Sequence, residues 1–203
     1  MSRSTTNHLL DRRHLKLLTS NKDLIIGTVD LTDYPVLQDF NSLWNKIEQD
    51  NNLVTGRNYR NHTATWYGLV DYAYTGVKHK AQDLPAEFAE IARDLEDELG
   101  YPKGYFNSLL INSFTNKGIG AHSDNESIFV CEDGTIGAVA TISLGGTAFI
   151  TITSNNRSSE PYTFKVSNGD LYVMPEGEFQ NDYKHAVSAS SEPRISLTFR
   201  HTP

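Results

Sequence analysis

The sequence predicts an α+β chain that is mainly β, a double-sheet sandwich or jelly roll with helices flanking its N-terminal side. Three observations predict it. Two helical stripes lie before residue 101, short β-type runs crowd the chain from Tyr105 onward, and the segments between those runs are rich in turn formers. With 203 residues, there is room for one good-sized core and little room for two.

The elements follow in order. Residues 1–22 are polar and weakly patterned, and read as an arm or linker ahead of a single domain over 23–203. Phe40, Leu43, Trp44 and Ile47 recur at helical spacing, with Asp39 placed to cap the start. Phe88, Ile91, Leu95 and Leu99 form a second stripe; Pro85 suits its first turn and Gly100 its end. Both stripes are core contacts rather than chemistry. The runs "FNSLLINSF", "SIFV", "GAVATISL", "TAFITIT", "YTFKV", "DLYVMP", "HAVSAS" and "RISLTFR" then predict about eight short strands, the signature of a sandwich or jelly roll over about 105–200.

Composition excludes several classes. Hydrophobic content of 38% and charged content of 21% are those of a globular domain. No stretch approaches the roughly 20 apolar residues of a membrane span, so no membrane partner is expected. The N-terminal residues lack the apolar run of a secretory signal. A single cysteine, Cys131, allows no internal disulfide and fits a reducing compartment, so a cytoplasmic location is expected. The net charge of −7 argues against a broad basic surface for gripping nucleic acid. The charge is uneven, however: residues 1–80 carry ten basic against eight acidic groups, and residues 81–203 eight against seventeen. Most basic clusters are solvated surface, but a basic lip for an anionic substrate stays open.

The last strand carries the most chemical information. In Arg194–Arg200, alternation puts Ile195, Leu197 and Phe199 on one face and Arg194, Ser196, Thr198 and Arg200 on the other. Two readings are open: an edge strand with its polar face in water, or a cavity lining in which arginine offers its donor fork to a carboxylate. Arg194 and Arg200 are roughly 20 Å apart along an extended strand, so they can share one small ligand only by leaning together. His122-Ser123-Asp124 is uninformative as an isolated pair. Two histidines and one carboxylate, however, make the facial triad suited to non-haem Fe(II), and His185 is the other histidine of the β-rich region before the final "RHTP".

The order His-x-Asp, His, then Arg-x-Ser-x-Thr-Phe-Arg resembles the AlkB family of Fe(II)/2-oxoglutarate dioxygenases. "FNSLLINSF", "HSDNE", "ATISLGG" and "TATWYG" resemble further family segments in the right order, over roughly residues 57–200. "MPEGEFQNDYKHAV" is most similar to the AlkB domains of plant RNA virus replication polyproteins. The resemblance implies a double-stranded β-helix (jelly roll), with a nucleotide-recognition segment at about 57–80. It implies Fe(II) bound by His122, Asp124 and His185, with 2-oxoglutarate and O₂ as co-substrates. It also implies that Arg194 pairs with the distal carboxylate of 2-oxoglutarate, with Asn112, Ser196 and Arg200 helping to hold that molecule. Trp66 and Tyr67 would then belong to the wall that stacks on a flipped-out base, and Glu126 would be a substrate-side acid.

The implied activity is oxidative demethylation of N-alkylated bases in RNA or single-stranded DNA, releasing formaldehyde. The chain would be part of a larger viral polyprotein in the host cytoplasm. An oxygenase acting on a protein or small molecule, and a non-catalytic nucleic-acid-binding domain, are the alternatives. The sequence departs from the family at Phe114, where many relatives have a tyrosine whose hydroxyl helps bind 2-oxoglutarate. It departs again at Met174, where some relatives place an aromatic that stacks on the base.

Overall fold

The computed structural model describes residues 13–15, 24–48, 62–74, 77–156 and 159–203. It begins with two strands, β1 (Arg13–Leu15) and β2 (Leu24–Thr28), followed by a 3-10 turn and the helices α1 (Pro35–Gln38) and α2 (Phe40–Glu48). Strand β3 (His62–Tyr67), the hairpin β4 (Tyr72–Tyr74) and β5 (Val77–His79), and helix α3 (Ala86–Leu99) come next. The remainder is β6 (Ser108–Phe114), β7 (Ile119–His122), β8 (Val139–Gly145), β9 (Ala148–Ser154), β10 (Tyr162–Val166), β11 (Asp170–Met174), the short helix α4 (Phe179–Asp182), β12 (Tyr183–Val187) and β13 (Arg194–Arg200).

Both helical stripes form helices, with Pro85 at the N-cap just before α3 rather than in its first turn. Asp39 Oδ1 accepts the Ser42 backbone N–H at 2.9 Å, satisfying an orphan donor at the start of α2. Gly100 closes α3 at φ 76°, a left-handed conformation that costs glycine nothing. The buried Glu96 then pins the connection to β6, accepting the N–H groups of Gly104 and Phe106.

Two antiparallel sheets make the jelly roll. The large sheet has the order β1-β2-β11-β8-β13-β6-β3, the small sheet β10-β9-β12-β7, and β4-β5 stands as a separate hairpin. One face of the large sheet is apolar and takes the helices: Leu109, Ile111, Ile142, Leu144, Ile195, Leu197 and Phe199 join Leu43, Ile47, Phe88, Ile91 and Leu95 in one core. The opposite face packs on the small sheet, where Ile150, Ile152, Phe164 and Val166 meet Val139, Tyr172 and Met174. β8 and β13 are buried on both faces, yet each alternates apolar residues toward the helices with Thr, Ser or Arg toward the small sheet.

Three further local expectations changed. "SIFV" forms a 3-10 turn at Ser127–Phe129 rather than a strand, because Phe129 turns inward against Trp66 and Tyr72. "HAVSAS" is strand only to Val187. Arg13–Leu15, within the stretch read as an arm, pairs with β2 at the edge of the large sheet; the rest of residues 1–22 lies outside the described residues.

Candidate active site

β13 is not an edge strand. It lies between β8 and β6, and all seven of its residues are buried. Its polar face therefore points into the space between the sheets. Register aligns that face in rows: Ser196 beside Ser143 and Asn112, and Thr198 beside Thr141 and Leu110. A cleft of about 580 Å³, counted with its mouth, opens over these rows and is lined also by His122, Asp124, His185 and both arginines.

The three metal-ligand candidates converge because β12 and β7 pair His185 directly with His122. Gly118 allows that approach: a Cβ there would overlap the Val187 carbonyl. Ligating atoms of His122, Asp124 and His185 all lie within 4.8 Å of one another. Nε2 of His122 is 3.5 Å from Asp124 Oδ1, and Nε2 of His185 is 3.8 Å from Asp124 Oδ2. His122 Nδ1 is 2.8 Å from the Gly120 carbonyl, so that nitrogen carries the proton and Nε2 is left as a ligand. The loop is tied down beyond the strand end. Gln180 Oε1 accepts the Asp124 N–H at 2.9 Å, and Ser123 Oγ donates to the Tyr183 carbonyl at 2.8 Å.

Electrostatics suit a cation here. Burial alone would raise the Asp124 carboxyl, but Arg200, His185 and His122 together outweigh it and hold the group below its ordinary value. Burial pushes His185 down to about 4, so its imidazole is neutral near pH 7, as a metal ligand must be. Two neutral imidazoles and one carboxylate on adjacent strand ends fit Fe(II) and leave neighbouring coordination positions open.

The arginines occupy opposite ends of the cleft floor. Arg200 Nη2 lies 3.0 Å from Asp124 Oδ2, and its guanidinium stacks over Phe129 at 4.8 Å; Nε and Nη1 have no partner. Arg194 is 1% exposed, donates from Nε to Ser143 Oγ at 2.9 Å, and leaves Nη2 without a partner. Buried guanidinium N–H groups without acceptors are costly unless a ligand supplies them. Asn112 and Ser196 line the cleft between the two arginines. The orphaned donors fit a dicarboxylate co-substrate.

Trp66 and Tyr67, expected at a base-stacking wall, are placed elsewhere. Trp66 is fully buried, donates to the Val70 carbonyl and packs under Tyr72 at 4.8 Å. Tyr67 faces the helix side and packs on Phe88. Their strand, β3, runs along the sheet edge, and the next hairpin covers the cleft instead. Tyr72 and Tyr74 of β4, stacked 13° from parallel at 6.2 Å, line the cleft, with Tyr74 6.1 Å from the His122 ring. The readable signal was the alternation in "DYAYTG", which sets both tyrosines on one strand face. Glu126 sits behind them, and its Oε1 accepts the Tyr72 hydroxyl at 3.2 Å. Met174 lines the cleft and receives Gln180 Nε2 at 3.6 Å, while the Phe114 ring lies 5.3 Å from the Arg194 guanidinium carbon.

The comparisons agree with this geometry. A model of the 2OG-Fe(II) oxygenase superfamily matches residues 37–200. An RNA replication polyprotein of Apple stem pitting virus (isolate PA66) is 30% identical over 135 residues, covering 66% of this chain and 6% of the polyprotein. An RNA replication protein of Papaya mosaic potexvirus is 31% identical over 141 residues, covering 68% of this chain and 8% of that protein. The chain thus spans less than a tenth of the length of these relatives. Among solved structures, OsALKBH1 matches with a TM-score of 0.54 at 18% identity, covering 70% of this chain and 78% of that one, a likeness of fold. The chain belongs to the 2OG-Fe(II) oxygenase superfamily, whose cofactors are Fe(II), 2-oxoglutarate and O₂, and His122, Asp124 and His185 make a fitting triad for the iron.

Proposed function

We propose that this domain demethylates N-alkylated bases in nucleic acid, RNA or single strands, and releases formaldehyde. The observation that carries the reading is Tyr74, which lines the cleft beside His122, is backed by the buried Tyr72 ring and offers its exposed face to a base. A target base must leave its own stack to reach that cleft, which favours single strands over duplex. RNA is preferred on the strength of the RNA replication proteins among the relatives.

His122, Asp124 and His185 would hold Fe(II), which with 2-oxoglutarate and O₂ supplies the oxidising chemistry for an N-methyl carbon. The chain's own residues do the positioning. Arg194, at the closed end of the floor, takes the distal carboxylate, while Asn112, Ser196 and Arg200 border the remainder. Arg200 also holds Asp124 through Oδ2, so one guanidinium fixes the metal carboxylate and faces the co-substrate. Burial raises the Glu126 carboxyl above its ordinary value, and from behind the cleft it accepts the Tyr72 hydroxyl and so holds the tyrosine hairpin in place. We place this activity in one catalytic domain over 23–203, within a longer viral polyprotein acting in the host cytoplasm; among the described residues no helix is long and apolar enough to cross a membrane.

The test is a turnover panel with 1-methyladenine and 3-methylcytosine in RNA and DNA, plus N6-methyladenine in RNA, reading formaldehyde against 2-oxoglutarate consumption. Turnover of a methylated RNA that vanishes in Asp124→Ala is expected. Uncoupled 2-oxoglutarate consumption, with every oligonucleotide left intact, would refute the substrate assignment.

A further inference from the structure

Phe114 brings no hydroxyl to the cleft floor, where the resemblance implies a tyrosine in many relatives, but the floor holds a phenol elsewhere. Tyr172 lies on β11, across β8 from β13, and is 4% exposed within the cleft lining. Alternation along β11 turns Tyr172 and Met174 to the cleft, while Leu171 and Val173 join the helix-side core. Register sets Tyr172 opposite Thr141, and Thr141 opposite Thr198. Ser143, two residues along the same face of β8 from Thr141, holds the Arg194 Nε. The guanidinium therefore leans off its own row toward the β8–β11 side, where the phenol stands.

The surroundings fit a carboxylate between these two groups. Among the described residues no acidic side chain is in ion-pair range of Arg194, and Tyr172 is its titratable neighbour. Burial raises the Tyr172 hydroxyl above its ordinary value despite Arg194 nearby, so it keeps its proton and remains a donor. The Thr141 hydroxyl stands beside the phenol oxygen and donates toward Thr198 Oγ1 at 3.4 Å. The ring is fixed edge-on against Phe164, 5.6 Å between centroids at 71°. Phe114 meanwhile supports the Arg194 guanidinium with its ring face.

We propose, building on the oxygenase reading above, that the Tyr172 hydroxyl is the second donor beside Arg194 to the distal carboxylate of 2-oxoglutarate, replacing from β11 the hydroxyl absent at Phe114. The cleft thereby selects a five-carbon 2-oxo diacid over a shorter 2-oxo monoacid through two groups on different strands.

The experiment is equilibrium binding to the Mn(II)-loaded full chain without O₂, using 2-oxoglutarate and 2-oxobutyrate, which lacks the distal carboxylate. Tyr172→Phe is expected to weaken 2-oxoglutarate about tenfold, as for loss of a hydrogen bond to a charged group, and to leave 2-oxobutyrate unchanged. Adding Phe114→Tyr to that variant is expected to recover affinity from the β6 side. Equal 2-oxoglutarate affinity in parent and Tyr172→Phe overturns the assignment. So does a parallel loss for 2-oxobutyrate, which would report a general disturbance of the cleft. A Mn(II)-loaded parent that binds no 2-oxoglutarate overturns the functional reading itself, and the assignment with it.

Discussion

Asp124 does two jobs with one carboxylate, presenting oxygens to both histidine Nε2 atoms and pairing with Arg200. Asp124→Ala should therefore abolish metal binding and also strand a buried guanidinium. The second effect is worth on the order of 3–5 kcal/mol in a urea titration of metal-free protein. A variant that loses metal at full stability would show that Arg200 finds another anion. Arg194→Ala should raise the 2-oxoglutarate requirement sharply with iron binding nearly intact, because Arg194 touches no metal ligand; identical 2-oxoglutarate titrations for parent and variant would remove it from the co-substrate site. His185 adds a pH dependence. Its unfolded value is near 6.5 and its folded value about 4, so between those limits the unfolded chain takes up a proton that the folded site refuses. Metal-free protein should lose stability as pH falls from 6.5 to about 4 and level off below. His185→Gln should flatten that slope, and an equal slope in both proteins would assign it to another group.

The helix and strands around the triad act as a latch. α4 is only four residues long, yet its Gln180 reaches the Asp124 backbone and the Met174 sulfur together. Gln180→Ala should leave the three ligands in place but loosen the loop, lowering Mn(II) affinity roughly tenfold or more, as is usual when support behind a ligand is lost. Unchanged affinity would mean that the Ser123–Tyr183 bond holds the loop alone. The β4–β5 hairpin plays a different part. Tyr74→Ala should raise KM for a methylated oligonucleotide about tenfold, given roughly 1–3 kcal/mol per stacked base, with 2-oxoglutarate binding unchanged. A KM equal to the parent's would place the base elsewhere.

At the scale of the molecule, the jelly roll keeps two arginines inside a closed double sheet with N–H groups unmet. Ligands that meet them should stabilise the whole fold. With Mn(II) present and 2-oxoglutarate at about 100 times its Kd, linkage adds roughly 2.7 kcal/mol. At this length that raises Tm by roughly 5–10 °C. A melting curve indifferent to 2-oxoglutarate would mean that the cleft binds it no better than the unfolded chain does. The helices contribute by covering the opposite face of the same sheet, so the polar rows of β13, β8 and β6 have no solvent to turn to.

Periodicity carried the helices, most strands and the two-faced character of Arg194–Arg200, because period 3.6 and period 2 are written in neighbouring residues. The order of His-x-Asp, His and the arginine strand likewise carried the family and the ligand types. Register and packing decided the rest. Whether the polar face of β13 met water or a cleft depended on β8 and β6 flanking it, and no local pattern encodes a neighbour 50 or 80 residues away. The 3-10 turn at "SIFV" answers to Phe129 finding Trp66 and Tyr72. Trp66 and Tyr67 lost the place expected of them because β3 ends at a sheet edge and the next hairpin folds over the cleft, bringing Tyr72 and Tyr74 in. Tyr172 is the clearest case. Its chemistry is visible in the chain, but its nearness to Arg194 exists only once β11, β8 and β13 lie side by side.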